Sequence, residues 1–479
     1  MTNVFLEAGV IELQEAMESG KLTAKSLVTA FLEQIATYNQ DGPKLNAILE
    51  INPDALFIAE SLDNERTENG ARGPLHGIPV LIKDNINTGD KMHTTAGSVA
   101  LANHYATEDA FLVKQLRDAG MVILGKTNLT EWANFIAMDM PNGFSSLGGQ
   151  VLNPYGPGKF DVGGSSAGTG AAIAANFAPL GIGTETSGSI LSPASSNSLV
   201  GIKPTVGLIS RTGVIPISSS QDTAGPMTRT VADAAVLLGA LTAEDTNDSA
   251  TSTNPNRLTD YTEYLNVEGL KGKRIGLSQS YLDGLPKEEL QLVERAIEDM
   301  KNLGATIIDP IDLPTELPSI TVMIHEFKNG LNAYLKNVDP TIPVHSLLDV
   351  IQFNQNHADT ALKYGQKIFL ESESKSGRLT ESDYIKDRLE DIRLSQTEGI
   401  DKAISEYNLD ALLFINDYGA GIAAKAGYPS ITVPAGYTKE GKPVGVTFTG
   451  LAFSEPTLIE LSYAYEQATT HRRAPKLEQ

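Results

Sequence analysis

Two serine-rich stretches contain the side chains best suited to nucleophilic chemistry. Residues 183–196, GTETSGSILSPASS, place seven hydroxyl side chains in fourteen positions, and residues 163–170 read GGSSAGTG. A serine hydroxyl becomes a nucleophile when a neighbouring base takes its proton. Serine and glycine at this density are also common in turns that have only a structural role. The sequence therefore offers three interpretations: structural turns, a serine assisted by histidine, or a serine assisted by lysine.

The histidine-assisted interpretation centres on Ser166. Residues 164–168, GSSAG, match the G-x-S-x-G nucleophile elbow of α/β-hydrolases, in which an acid and a histidine must follow the serine along the chain. In a chain with 43 glycines the pattern also arises by chance. The four histidines that follow the elbow lie in no characteristic sequence context: His325, His345, His357 and His471.

The lysine-assisted interpretation centres on Lys83, which follows the apolar residues 79–82 in PVLIKDN. A lysine with its ordinary pKa of about 10.4 is a poor base at neutral pH, but burial can lower that pKa by about three units or more. Asp84 is adjacent, although in an extended segment its side chain points to the opposite face. The structural alternative is a lysine that reaches solvent or pairs with a carboxylate.

The elements around these residues indicate an α/β fold. Residues 76–88 and 121–128 have the apolar, β-branched character of buried strands, and residues 109–120 form an amphipathic helix that Gly120 ends. Strand and helix alternate again through residues 160–240 and in the strand–helix–strand unit that starts at KRIGLSQ. Near the C-terminus, three strand segments precede a helix, PTLIELSYAYEQATT. This order favours helices that cover a mixed or parallel sheet.

Two further segments complete the predicted organisation. The N-terminal segment, about residues 1–60, is predicted to be helical, with Thr23 as the cap of a helix whose Leu27, Phe31 and Ile35 share one face. Residues 315–405 are predicted to form a mostly helical cover over the sheet. Because composition does not change sharply anywhere, we expect a single domain over residues 1–479.

Composition limits the classes of function. The net charge of −22 argues against direct binding to nucleic acid, which requires basic surfaces. The absence of cysteine excludes thiolate chemistry, and the seven scattered histidines show no metal-ligand spacing, so neither a metal nor another cofactor is expected. No apolar run of about 20 residues predicts a membrane span, and the N-terminus lacks the pattern of a signal peptide. We expect a cytoplasmic monomer or homodimer.

The lysine and the serines, taken together, resemble the Ser–cisSer–Lys triad of the amidase signature family. They lie in GIPVLIKDNINT (Lys83), GGSSAG (Ser165) and GTETSGSI (Ser189), and the two serines are separated by 24 positions, as in that family. Supporting segments include GKTNLTEWANF and QDTAGPMTRTVADAA, and the resemblance extends from about residue 10 to residue 475. Within the family, the resemblance is to the bacterial peptide amidase branch. It implies a large mixed central β-sheet flanked on both sides by helices.

The resemblance also implies roles for particular residues. Ser189 would attack the carbonyl of a small-molecule or peptide amide, Ser165 would relay the proton after a cis peptide bond, and Lys83 would be the neutral base. An acyl-enzyme would form and ammonia would leave. The backbone N–H groups of Thr186, Ser187 and Gly188 would form the oxyanion hole. Further hydrogen-bonding or pocket residues would be Asn134, Ser166, Asp222 and Thr223.

Four departures from the family pattern are visible. Glu185, Ser187 and Leu191 stand where many members have aspartate, glycine and arginine, and the segment after DALLFIND is short. Leu191 makes an acidic substrate less favourable. Two alternatives remain open at this point: the glutaminase subunit of a tRNA-dependent amidotransferase, and a catalytically silent binding protein on the same scaffold.

Overall fold

A mixed sheet of eleven strands forms the centre of the molecule. The computed structural model describes residues 5–255 and 257–477. Its strands are β1 (Ile48–Ile51), β2 (Pro79–Lys83), β3 (Val122–Thr127), β4 (Phe144–Ser145), β5 (Gly149–Gln150), β6 (Leu180–Glu185), β7 (Val200–Lys203), β8 (Thr223–Thr228), β9 (Arg274–Leu277), β10 (Thr306–Ile308), β11 (Ala411–Ile415), β12 (Ser430–Tyr437) and β13 (Pro443–Thr449).

The order of strands in the central sheet is β1-β3-β2-β6-β8-β7-β12-β13-β11-β9-β10, while β4 and β5 pair separately. Strand β2 lies parallel to both of its neighbours, β3 and β6. Strand β6 is antiparallel to β8, so the direction of the strands changes next to the serine-rich stretch. A sheet with parallel and antiparallel pairs agrees with the predicted mixed α/β fold.

Helices lie on both faces of the sheet, as predicted. The α-helices are α1 (Val10–Glu18), α2 (Ala24–Tyr38), α3 (Ala55–Asn69), α4 (Phe111–Asp118), α5 (Glu131–Asn134), α6 (Ala167–Ala174), α7 (Leu191–Ser196), α8 (Val231–Leu241), α9 (Lys287–Asn302), α10 (Thr321–Leu335), α11 (Leu347–Asn356), α12 (Ala358–Ala361), α13 (Lys367–Glu373), α14 (Ser382–Ile392), α15 (Asp401–Tyr407), α16 (Ala420–Ala426) and α17 (Glu455–Thr469). A π-helical segment, Arg393–Ile400, joins α14 to α15.

The N-terminal segment is mostly helical. Thr23 caps α2 by accepting a hydrogen bond from the Ser26 N–H, and Leu27, Phe31 and Ile35 are buried, which confirms the predicted apolar face. The segment also contains β1, which the helical prediction missed. This four-residue strand pairs antiparallel with β3 and forms one edge of the sheet.

The described residues form four apolar clusters, of which the two largest make up most of the interior. The larger cluster packs the sheet against helices such as α2, α6, α8 and α17. A second cluster lies under the cover, where Phe327 of α10 and Phe369 of α13 contact Trp132 and Phe135. No helix in the described part of the chain is long and apolar enough to cross a bilayer.

Candidate active site

Lys83 lies fully buried at the carboxyl end of β2, in the position that the sequence predicted. Its Nζ atom is 2.7 Å from Ser165 Oγ, 2.8 Å from Thr184 Oγ1 and 3.2 Å from the Thr184 carbonyl oxygen. Asn85 Nδ2 also donates to Thr184 Oγ1, at 2.9 Å. The lysine is therefore surrounded by neutral oxygen atoms.

Burial lowers the pKa of Lys83 to about 7, while the charges of Glu185 and Asp222 act in the opposite direction. Among the described residues, no carboxylate lies within ion-pair distance of Lys83. The adjacent Asp84 points to the other face, where its Oδ1 accepts a hydrogen bond from Lys126 Nζ at 3.2 Å. The alternation of an extended strand thus separates the lysine from the neighbouring acid, as expected.

Ser165 precedes helix α6 and is fully buried. The peptide bond between Gly164 and Ser165 is cis, as the resemblance implied. The Ser165 carbonyl accepts a hydrogen bond from the Thr130 N–H at 3.0 Å, and the next N–H, that of Ser166, donates to the Ser189 carbonyl at 3.1 Å. These bonds connect the segments that contain the two serines.

Ser166 has a structural environment that excludes the nucleophile-elbow interpretation. Its buried Oγ donates to the Thr184 carbonyl at 3.1 Å and accepts from the Thr184 N–H at 3.2 Å. No histidine among the described residues bonds to it. Because the hydroxyl faces backbone atoms and lacks a base, that interpretation is wrong. Ser166 instead links the start of α6 to β6 through these two hydrogen bonds.

Glu185 shapes the turn that contains Ser189. Its buried carboxylate accepts hydrogen bonds from the backbone N–H groups of Gly188 (2.7 Å), Ile190 (2.7 Å) and Leu191 (3.0 Å). Sequence reasoning noted Glu185 only as a departure from the family pattern and missed this role. The available signal was a carboxylate at the end of a buried strand, directly before a glycine-containing turn.

The bond from Gly188 to Glu185 corrects one predicted oxyanion donor. The Gly188 N–H faces a carboxylate in this structure, so it is not free to bind a developing oxyanion. The N–H groups of Thr186, Ser187 and Ser189 have no hydrogen-bond partner among residues 5–255 and 257–477. The turn therefore keeps three free donors, one of them on Ser189 itself.

Ser189 lines an open cavity, and 8% of its surface is exposed. Within the described ranges its Oγ makes no hydrogen bond, so the contact to Ser165 Oγ that a proton relay needs is not formed in this structure. Catalytic hydrogen bonds are often long before substrate binds and shorten in the complex.

The other predicted pocket residues have distinct positions. Asp222 Oδ1 accepts from Thr186 Oγ1 at 2.5 Å and its Oδ2 accepts from the Ile217 and Ser218 N–H groups, while burial raises its pKa to about 6. Thr223 begins β8 and donates to the Ala224 carbonyl. Asp222 thus fixes one side of the turn that contains Ser189, and Thr223 pairs with Glu185, which precedes that turn.

Asn134 lies in a left-handed turn at the rim of the cavity. Trp132, Ala133 and Asn134 have φ values of 50°, 53° and 67°, a conformation that ordinary side chains seldom adopt. The turn buries Trp132 in the second apolar cluster and leaves Asn134 exposed. The shape of the cavity on the side of this turn therefore depends on the backbone conformation as well as on side chains.

The cavity that contains Ser189 has a volume of about 330 Å³. Its apolar walls come from the left-handed turn and from the cover, and they include Phe135, Ile320, Met323 and Ile368. Thr186 and Ser187 lie beside Ser189 on the sheet side. In the described part of the chain, no group of three or more histidine, aspartate or glutamate side chains could hold a metal ion. The arrangement provides a hydroxyl, free N–H donors and an apolar surface for an acyl group.

The fold corresponds to that of proteins named as amidases. A family model described as Amidase matches residues 26–459. The chain therefore belongs to the amidase family and is an amidohydrolase, which confirms the resemblance inferred from sequence.

Relatives of three kinds are similar over nearly the whole chain. The crystal structure of the peptide amidase from Stenotrophomonas maltophilia has 45% sequence identity and a TM-score of 0.92, covering 99% of this chain and 100% of that one. A probable amidase of Arabidopsis thaliana is 43% identical over 98% of this chain and 91% of its own length. A glutamyl-tRNA(Gln) amidotransferase subunit from Alkalilimnicola ehrlichii is 32% identical over 98% of this chain and 99% of its own length.

Proposed function

We propose that this protein hydrolyses carboxamides, including the C-terminal amides of peptides, through a serine acyl-enzyme with release of ammonia. Lys83 is the base, Ser165 relays the proton and Ser189 is the nucleophile. The identity to a protein named peptide amidase supports the substrate class.

The observation that carries the proposal is the environment of Lys83 Nζ. A neutral amine has two N–H donors and one lone pair. Two of its three near neighbours are oxygens of Thr184, one a carbonyl oxygen that can only accept, and the third is Ser165 Oγ at 2.7 Å. If both N–H groups donate to Thr184, the lone pair faces Ser165. With a pKa of about 7, an uncharged Lys83 is well populated at neutral pH.

The proposed reaction has two halves. The Ser189 proton passes to Ser165 as the Ser165 proton passes to Lys83, and Ser189 Oγ bonds to the carbonyl carbon. The N–H groups of Thr186, Ser187 and Ser189 are candidates to stabilise the oxyanion, and a donor of this kind contributes about 3–4 kcal/mol to lowering the barrier. The C–N bond then breaks, the relay protonates the leaving nitrogen, and ammonia departs. Water attacks the ester by the same route and restores Ser189.

A substrate panel tests this function. Purified protein, without partners, is assayed for ammonia release from a peptide amide, a simple aliphatic amide and glutamine, and for amine release from an anilide. We expect the peptide amide to have the highest kcat/KM. The alternative, a glutaminase subunit of a tRNA-dependent amidotransferase, would hydrolyse glutamine and little else. The lower identity to the amidotransferase protein, 32% against 45% for the peptide amidase, favours the amidase.

A further inference from the structure

Lys425 is the one cationic side chain among the described residues that line the cavity around Ser189. It lies in the last turn of α16 and only 9% of its surface is exposed. The surrounding wall is mainly apolar, with Ile320, Met323 and Ile368 on the side of the cover. A buried ammonium group in such a wall requires hydrogen-bond partners, because burying an unpaired charge is costly.

The bonds of Lys425 leave one donor unused. Its Nζ donates to Asp391 Oδ1 at 2.8 Å and to the Ser319 carbonyl at 3.3 Å. An ammonium group has three N–H donors. Within the part of the chain that the structure describes, the third has no partner, and the side chain borders the same cavity as Ser189. A ligand atom in the cavity can therefore complete its hydrogen bonding.

The charge of Asp391 decides which kind of acceptor fits. Asp391 is 1% exposed and its carboxylate neutralises Lys425. A substrate carboxylate would bring a second negative charge next to a buried one, which is unfavourable. A neutral carbonyl oxygen adds no net charge and still satisfies the free N–H. The pair therefore favours an uncharged acceptor such as a peptide carbonyl.

We propose that Lys425 is a specificity-determining residue that donates a hydrogen bond to a backbone carbonyl in the acyl part of a peptide amide. The inference rests on the proposed function, because it places the acyl chain between Ser189 and Lys425. The hydrogen bond from Lys425 would distinguish peptidyl amides from aliphatic amides, because aliphatic amides lack that carbonyl.

The test compares two substrates in one enzyme: an N-acetyl dipeptide amide and hexanamide. In Lys425→Met the ratio of their kcat/KM values, peptide over aliphatic, is expected to fall by roughly 10- to 100-fold, the usual effect of losing a hydrogen bond from a charged donor. The change should come mainly from a higher KM for the peptide amide. A ratio within about twofold of the unsubstituted enzyme overturns the proposal.

Two further variants test whether a folding defect, rather than the lost hydrogen bond, changes the ratio. Lys425→Met leaves Asp391 buried without its partner, so Lys425→Met/Asp391→Asn removes the charge as well, and the ratio should fall equally. Lys328→Met is a matched control, because Lys328 forms a similar pair with Glu373 in the cover at 2.9 Å and does not line the cavity. Its ratio should be unchanged.

The outcomes separate the two proposals. If the unsubstituted enzyme hydrolyses neither substrate, the proposed function itself fails. If it hydrolyses both and the double variant loses activity on both in equal proportion, Lys425 has only a structural role and this inference fails alone.

Discussion

Lys83, a base, and Asp84, an acid, are adjacent in sequence but lie in separate environments. Lys83 faces neutral oxygens of Ser165 and Thr184, whereas Asp84 faces Lys126 on the next strand. If both side chains pointed to one face, an ion pair would hold the lysine in its charged form. The extended conformation of β2 therefore permits the low pKa of Lys83 that a basic role requires.

Substitutions in the proposed triad should remove activity without unfolding the protein. We expect Ser189→Ala and Lys83→Ala each to lower kcat/KM for a peptide amide by about 10³-fold or more, as members of a catalytic unit do. Ser165→Ala should leave a small residual rate. Ammonia release measures the rates, and circular dichroism checks the fold.

Ser166→Ala serves as the comparison, because its hydroxyl bonds only to the Thr184 backbone. It should retain more activity than any of the three triad variants. A fatal Ser166→Ala together with a harmless Ser189→Ala would contradict the assignment.

The pH profile should follow the ionisation of Lys83. If the neutral amine is the active form, as proposed, its pKa of about 7 means that kcat/KM should rise through pH 7 and level off above it. At pH 5 the neutral fraction is about 1% for such a pKa, so activity should be about 100-fold below the plateau. Initial rates between pH 5 and 9 measure the profile, and an optimum near pH 5 would exclude a lysine base.

Lys83 stood out in the sequence because a lysine follows four apolar residues. The choice of Ser165 and Ser189 among the many hydroxyl side chains came from the resemblance to the amidase signature family. The sequence did not predict the roles of Glu185 or Asn85. Glu185 bonds to backbone N–H groups of the turn, and Asn85 bonds to Thr184. The geometry of these bonds depends on how β6 continues into the turn. The prediction that the Gly188 N–H is a free donor was wrong for the same reason.

At the scale of elements, α6 positions Ser165 through close packing against neighbouring backbone. Gly168 lies in its first turn, and a Cβ atom there would collide with the carbonyl oxygens of Asn128 and Ala47. Only a residue without a side chain lets the helix approach so closely. The glycine-rich segment 163–170, whose composition is common in turns, thus also allows close packing of a helix.

Gly168→Ala should displace α6 and reduce both stability and activity. We expect a loss of about 1–3 kcal/mol in the free energy of unfolding, as for other overpacked sites. A lower kcat should accompany the loss, because Ser165 moves relative to Lys83. Thermal unfolding and steady-state kinetics measure the two effects.

Gly73→Ala is the matched control, since a Cβ atom at Gly73 meets nothing within 4 Å. Its stability should change by less than about 0.5 kcal/mol. Equal effects of the two substitutions would show that close packing of α6 is not the cause.

Elements with a clear period were predictable from sequence, and short or irregular ones were not. The strands around Lys83 and the helix ended by Gly120 have strong apolar patterns and lie where expected. Strand β1 has only four residues and is defined by its pairing with β3. The left-handed turn at Trp132–Asn134 depends on tertiary packing of Trp132 and has no local sequence signal.

On the scale of the whole molecule, the two largest apolar clusters support different parts of the candidate site. Lys83, Ser165 and Ser189 are held by strands and helices of the larger cluster. The apolar wall of the cavity, including Phe135 and Ile217, belongs to the second cluster under the cover. The cover should therefore be able to loosen while the sheet remains intact.

Phe369→Ala tests this separation. Phe369 is fully buried against Phe327 and Trp132, with ring centroids 5.2 and 5.6 Å apart, and removing it should cost about 3–5 kcal/mol. We expect faster amide hydrogen exchange in α10 and α13, with β2 and β6 unchanged. Phe177→Ala, in the larger cluster, should instead accelerate exchange in the sheet. Similar acceleration of β2 in both variants would contradict the separation.

The location of the cavity wall also bears on how this enzyme can diversify. The wall residues 318–320, 323, 368, 421 and 425 can change in size and polarity while the hydrogen bonds of Lys83 and Glu185 stay as they are. Mutational libraries confined to these positions should yield variants with new acyl preferences and an unaltered pH profile. Acyl preference can therefore vary independently of the chemistry proposed for Lys83 and Ser189.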